Sequence, residues 1–141
     1  MEQTLETEVT GRKLFLENGK PKLNLTPLEK TAINAQTQEK HDELMQIYEA
    51  GKWRWNGRIL PTNYSNFIFY KEKNCVEAGI SCYNNLKGFF GCSSEKFYKS
   101  RNWKLISINE FYEMQGIIKE DLFELNKWFD ENKPNRASKG K

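Results

Sequence analysis

The segment GKWRWNGRIL (residues 51–60), continued by NFIFYKEKNCVEAGISCY (66–83) and FYKSRNWKLIS (97–107), decides how this chain is read. Trp53-Arg54-Trp55 alternates aromatic and charged side chains, the period of a half-buried strand. Asn56-Gly57 follows, a pair that tolerates positive φ at both positions and so favours a type I′ turn. Arg58-Ile59-Leu60 returns from it, and Pro61-Thr62-Asn63 is a loop. Phe67 to Tyr70 and Cys75 to Ala78 read as two strands around Lys73-Asn74. Ile80 to Tyr83 and Leu86 to Phe90 are further short strands, parted by Asn84-Asn85 and by glycines. Ser94 is placed to cap a short helix from Glu95 to Lys99, and Trp103 to Ile106 is a strand. The middle of the chain is thus expected to form a small, mostly antiparallel sheet.

Helices flank it. Towards the C-terminus, Ser107 and Glu110 form a capping box for a helix that Gly116 ends. Ile118, Leu122, Leu125 and Phe129 then recur at helical spacing, with Pro134 as the stop. Towards the N-terminus, Leu44, Met45, Ile47 and Tyr48 mark a helix that ends at Gly51. Thr26-Pro27-Leu28-Glu29 has the chemistry of another helix start, so residues 27–50 are read as one long helix or as two broken near Asn34 to Gln38. Before it, Asn18-Gly19 joins Leu14 and Leu16 to Leu23 and Leu25 as a hairpin, with Pro21 marking an edge strand. The expected fold class is α+β: a small sheet from residues 52–106 packed by helices, with an N-terminal β-hairpin as an appendage or edge. Residues 1–11 are expected to be a flexible N-terminus, 12–132 a single domain and 133–141 a disordered basic tail.

The chain has 141 residues, about one domain's worth, and its mean hydropathy is −0.82. Aromatic residues make up 13% and compensate for the low aliphatic content, because each buries a large area. No apolar run approaches the roughly 18 residues of a membrane span, and the acidic N-terminus lacks a secretory signal core. A cytoplasmic protein with no membrane association is the expectation. Charge is distributed by region. Residues 1–51 hold 6 basic and 9 acidic residues, 52–104 hold 10 and 3, 105–132 hold 2 and 7, and 133–141 hold 4 and none. A basic middle therefore lies between acidic flanks.

Motifs for catalysis are weak. His41 has Asp42 and Glu43 beside it and no His or Cys partner at ligand spacing, so it is read as a solvated histidine. Cys75, Cys82 and Cys92 are spaced C-x6-C-x9-C, which suits neither zinc nor a nucleophile motif; Cys75 and Cys82 are read as small core residues. Gly88 to Ser94 is a glycine-flanked turn whose amides can hold an anion, but it lacks the lysine of a phosphate loop. Glu120, Asp121 and Glu124 are read as a solvated helix face that suits the dipole. No cofactor and no metal are expected, and the chain is not read as an enzyme.

The signal that stands out is cations interleaved with aromatics. Residues 53–103 contain 12 of the 19 aromatic residues. The candidate ligand- or partner-binding set is Arg54, Trp55, Arg58, Tyr70, Lys71, Lys73, Lys96 and Arg101. Cations of this kind pair with carboxylate or phosphate, while aromatic faces stack or anchor. The expected function is a non-catalytic binding protein that occupies a protein partner or an anionic, nucleotide-like ligand. Single-stranded nucleic acid, bound by the same face plus the basic tail, is the alternative. Acidic flanks beside a basic middle also allow self-association into a homo-oligomer.

The elements WRWNG…LPTNY and RNWKLISINEFYEMQGI resemble small accessory proteins of bacteriophages and prophages. The matching positions are Trp53, Trp55, Pro61, Thr62, Trp103, Lys104, Ile106, Ser107, Glu110 and Phe111, within residues 53–112. The resemblance implies a non-enzymatic phage protein of the kind that binds a host or defence component, and so an anti-defence inhibitor in the host cytoplasm. It implies no site residue.

Overall fold

The computed structural model describes residues 13–55, 59–63, 67–69 and 71–132. The expected flexible N-terminus, the basic tail and the Asn56-Gly57 turn lie outside the described residues, apart from the return partner Ile59, which bridges Trp55 in antiparallel fashion. The fold is α+β, with an N-terminal antiparallel hairpin.

That hairpin pairs β1 (Phe15–Glu17) with β2 (Lys20–Lys22), Leu16 opposite Pro21. Asn18 and Gly19 have φ of 54° and 76°, as a type I′ turn requires. Next comes the main departure from the sequence reading. Thr26-Pro27-Leu28-Glu29 does not open a helix. The Thr26 amide donates to Gln115 Oε1 (2.8 Å) and its carbonyl accepts from Gln115 Nε2 (2.7 Å), so a side-chain amide takes both backbone groups of Thr26. The chain stays extended and enters β3 (Thr31–Asn34), where a helix half was expected.

β3 is an inner strand of the main sheet. It pairs parallel with β9 (Lys104–Ser107) and antiparallel with β6 (Glu72–Glu77), placing Ala32 opposite both Leu105 and Glu77. β6 also pairs antiparallel with β5 (Ile68–Phe69) and β8 (Cys92–Ser94). Lys73 and Asn74 therefore lie within a strand and not at a turn; the reversal contains Lys71, with φ of 69°. β4 (Arg54–Trp55) pairs parallel with β7 (Phe89–Phe90) in a small separate sheet. The sheets are mostly antiparallel, but the main one draws an inner strand from outside residues 52–106.

Among the described residues there are four α-helices. α1 (Gln38–Ala50) starts at Thr37, whose side chain accepts from the Lys40 amide. α2 (Glu95–Ser100) is capped by Ser94. α3 (Ile108–Gln115) has the Ser107/Glu110 capping box and ends at left-handed Gly116. α4 (Lys119–Glu131) closes the described chain. Among the described residues no helix is long and apolar enough to cross a membrane.

The two faces of the main sheet are covered unequally. Ile33, Val76 and Ile106 join Leu44 and Tyr48 of α1, Phe111 of α3, and Leu125 and Phe129 of α4 in the principal core. Tyr48 is its hub, with edge-on contacts to Trp53 and Phe90, each at 4.8 Å, and its hydroxyl donates to the Glu77 carbonyl (2.7 Å). The opposite face holds a smaller cluster of Ala32, Cys75 and Tyr98, with Phe97, Trp103 and Leu105 against it. Gly79 reports how tightly Trp53 is held: a Cβ there would meet the indole at 2.6 Å, and φ is +96°.

Polar links add to this apolar packing between helices. Glu43 accepts from Tyr112 Oη (2.8 Å) and from Asn126 Nδ2 (3.1 Å), tying α1 to α3 and α4. Burial, then the Glu43 carboxylate, push the Tyr112 phenol above its ordinary range, so it remains a donor. Tyr112→Phe is expected to lower unfolding stability by about 1–2 kcal/mol in urea titrations without changing their slope.

Candidate functional site

The six candidate residues that are described sit on several different elements. Arg58 and Tyr70 lie outside the described residues. Arg54 is half-buried on β4 and donates from Nη1 to the Trp53 carbonyl (2.9 Å). Trp55 is half-buried against the principal core, edge-on to Phe90 at 5.5 Å. Lys71 is exposed at the β5–β6 reversal. Lys73 is exposed too, with Nζ donating to the Gln36 carbonyl (3.1 Å) and lying 6.0 Å from the Phe67 ring centre. Lys96 and Arg101 belong to α2 and the turn that follows it, and both are exposed.

Among the described candidates, Arg101 lines a recess with other polar and aromatic side chains. Its guanidinium lies 4.6 Å from the Phe97 ring centre, a cation–π contact that orients it. It lines a recess of about 250 Å³ together with Glu29, Lys30, Ser81, Asn85 and Trp103. Three distant segments build this recess. The Lys104 amide donates to the Lys30 carbonyl (2.8 Å), so the parallel β3–β9 pairing brings Lys30 beside residues 101–104. Trp103 is half-buried, 5.1 Å from the Tyr98 ring.

The third wall, residues 81–86, is closed by its own hydrogen bonds. The Ser81 amide donates to the Leu86 carbonyl (3.3 Å) and the Asn85 amide to the Ser81 carbonyl (2.9 Å). Ser81 Oγ accepts from the Tyr83 amide (3.1 Å). The loop is also rooted in the core, because the Cys82 amide donates to Glu77 Oε1 (3.1 Å). Lys30, Asn85 and Asn102 all have left-handed backbones, with φ of 48°, 59° and 62°. Asparagine accepts that region readily; lysine does so at a cost of about 1 kcal/mol.

Glu77 is fully buried. Besides Cys82, its Oε1 accepts from the Gly91 amide (3.0 Å), and its Oε2 accepts from Tyr98 Oη (2.8 Å). The Gly91 amide of the glycine-flanked turn thus bonds a carboxyl, and it is the chain's own. The Asp121 reading is corrected in the same sense. Asp121 is buried, and its carboxylate accepts from the amides of Lys13 (3.1 Å), Leu14 (3.2 Å) and Ile118 (3.3 Å). His41 is likewise not solvated: it lies fully buried on α1, its ring 5.5 Å from Phe67. Among the described residues no group of three or more His, Cys, Asp or Glu side chains is arranged to hold a metal ion.

Cys75 is buried in the smaller cluster, as expected of a small core residue, whereas Cys82, read the same way, is only half-buried. Burial, then Glu95, push the Cys75 thiol up to about 12. Burial, then a hydrogen bond with Glu77, push Cys82 up to about 12. Both stay protonated near neutrality, which suppresses nucleophilicity. Iodoacetamide at pH 8 is expected to modify Cys82 in the folded chain about a thousandfold more slowly than in urea, read by mass spectrometry. The folded state holds these two protons more tightly than the unfolded chain, whose thiols titrate near 9.0. Their contribution to stability is therefore complete below pH 9 and is lost as pH rises from there towards 12.

Lys30, Ser81, Asn85 and Trp103 were missed as site residues. The pairing of positive charge with aromatics pointed to Arg101, but nothing local links Lys30 to it. Comparison with known proteins adds no relative: no protein-family model, no curated protein and no solved structure matches this chain.

Proposed function

We propose that this chain is a non-catalytic binding protein of the phage accessory kind, working in the host cytoplasm. It acts by occupying a host or defence protein, or an anionic, nucleotide-like ligand, through a basic-aromatic face. The observation that carries this reading is the recess where Arg101, held on Phe97, stands with Lys30 and Trp103. A cation already oriented by an aromatic face loses little freedom when it pairs with an anion. The groups that would be needed for chemistry have structural duties instead: Glu77 and Asp121 accept backbone amides, and the Cys75 and Cys82 thiols stay protonated.

Nucleic acid remains the alternative occupant, but the described cations favour it less. Arg54 and Lys73 are engaged with the chain's own carbonyls, and the rest are spread over separate elements. The test is capture from host lysate by the wild-type chain and by Lys30→Glu/Arg101→Glu, with and without nuclease. Capture that resists nuclease and disappears with the charge reversal supports the reading. Capture that survives the reversal sinks it. Capture that nuclease abolishes, and that weakens steeply with salt, transfers the function to nucleic acid.

A further inference from the structure

We propose that the Lys30–Arg101–Trp103 recess is a site for a free nucleoside monophosphate, an inference that rests on the binding reading above and names its ligand. Size is the first argument. The recess is about 250 Å³. Sites for drug-sized ligands span roughly 300–1,000 Å³, so this one suits a single small molecule and not a length of strand.

Charge is the second. Lys30 and Arg101 supply two positive charges and Glu29 subtracts one, which leaves a lining of +1. Such a lining suits one compact, strongly charged group, with Arg101 giving the fork that phosphate oxygens accept. The remaining lining supplies a different chemistry. Trp103, half-buried against Tyr98, lines the recess as an aromatic residue, the type of side chain on which a base stacks. Asn85 carries an amide with both donors and an acceptor, the complement of a base edge. Phosphate alone would leave the indole and the amide unused, and a nucleoside alone would leave the cations unused.

Rigidity is the third. The hydrogen bonds within residues 81–86 and the Cys82 amide bond to buried Glu77 hold the Asn85 wall in place. The Lys30 backbone is held by its carbonyl's bond to the Lys104 amide.

Calorimetry on the full chain tests this with AMP, GMP, CMP and UMP, inorganic phosphate, the four nucleosides, and a hexanucleotide with and without a 5′-phosphate. At least one monophosphate should bind about tenfold or more tightly than both its nucleoside and phosphate, because both halves of the site are then used. Lys30→Ala/Arg101→Ala should weaken it by about tenfold or more, while Lys127→Ala, which removes a cation from α4, should leave it unchanged. Trp103→Leu should weaken the monophosphate but not phosphate; Trp103→Phe, which keeps an aromatic face and packs more conservatively, should restore part of the loss. Absence of monophosphate binding, or binding indifferent to the double variant, overturns the proposal. So does tighter binding of the 5′-phosphorylated strand than of any monophosphate. If monophosphates fail while lysate capture still depends on Lys30 and Arg101, the ligand is wrong and the binding reading stands. If monophosphates bind but capture does not depend on those residues, the site stands and the partner reading falls.

Discussion

Replacing Glu77 with alanine is expected to lower unfolding stability by about 4 kcal/mol, a large share of the roughly 5–15 kcal/mol typical of a domain. The carboxyl is fully buried and receives the amides of Cys82 and Gly91 and the hydroxyl of Tyr98. Removing it strands the buried donors of Gly91 and Tyr98 and the part-buried Cys82 amide, and each buried, unsatisfied group costs about 1–3 kcal/mol. Glu77→Gln should cost less, about 2 kcal/mol, because one acceptor oxygen remains while the new NH₂ faces a donor. Tyr98→Phe alone should cost about 1–2 kcal/mol, and the Glu77/Tyr98 pair should be strongly non-additive in a double-mutant cycle. The recess should feel the loss as well, since the 81–86 wall hangs from Glu77 through Cys82. Faster hydrogen exchange at Tyr83 to Leu86, seen below the global unfolding transition, is the local signature. A cost for Glu77→Ala below about 1 kcal/mol in urea titrations would refute this account of the network.

How much of this was legible depended on whether the deciding contact was local. The type I′ turn at Asn18-Gly19, the Ser94 cap, the Ser107/Glu110 box and the αL residue Gly116 each involve residues within a few positions of one another. All were read correctly, because their physics lies inside the window. The helix expected from Thr26 failed for the opposite reason. Leu28, Ala32, Ile33 and Ala35 have helical spacing, yet Ala32 and Ile33 pack into opposite sides of the sheet. A short strand buried on both faces shows an apolar run instead of alternation, and periodicity cannot distinguish it from a helix. What overrules the capping signal is Gln115, 89 residues away, whose amide takes both backbone groups of Thr26.

The site followed the same rule. Arg101 beside Phe97 lies within one short segment and was visible as a cation among aromatics. Lys30 reaches it only through a parallel strand pair, and parallel pairs have no connecting turn to betray them. Trp55 and Arg54 were credible site residues by alternation alone. The β4–β7 pairing turned Trp55 against Phe90, and Arg54 bonds to the carbonyl before it. Asp121 and Glu77 carry the plainest lesson. A carboxylate next to a helix start, or within a strand, gives no sequence sign that it will be enclosed. Here each is enclosed because it replaces a partner that buried backbone amides would otherwise lack.

Asp121 gives the second large effect. Asp121→Ala is expected to cost about 3 kcal/mol, from the loss of an acceptor shared by the amides of Lys13, Leu14 and Ile118 in a site only 1% exposed. Asp121→Asn should cost about 1–2 kcal/mol, because one oxygen still accepts. Where the loss appears is as informative as its size. Among the described residues the hairpin has other attachments as well: Trp128 Nε1 donates to the Gly19 carbonyl (3.0 Å), the Leu23 amide donates to the Ala50 carbonyl (3.1 Å), Leu14 packs on the core, and Lys52 approaches Glu17 at 3.9 Å. That last pair is exposed and contributes little. If the hairpin is an appendage, Asp121→Ala frees it alone: amides of Leu14 to Lys22 exchange quickly and Trp128 emission shifts red, while the urea midpoint barely moves. If it is part of the cooperative unit, the midpoint falls by the full amount and exchange rises throughout. The second outcome is expected. Asp121 also accepts from Ile118 at the start of α4, so the residue that holds the hairpin is the one that opens the last helix of the core.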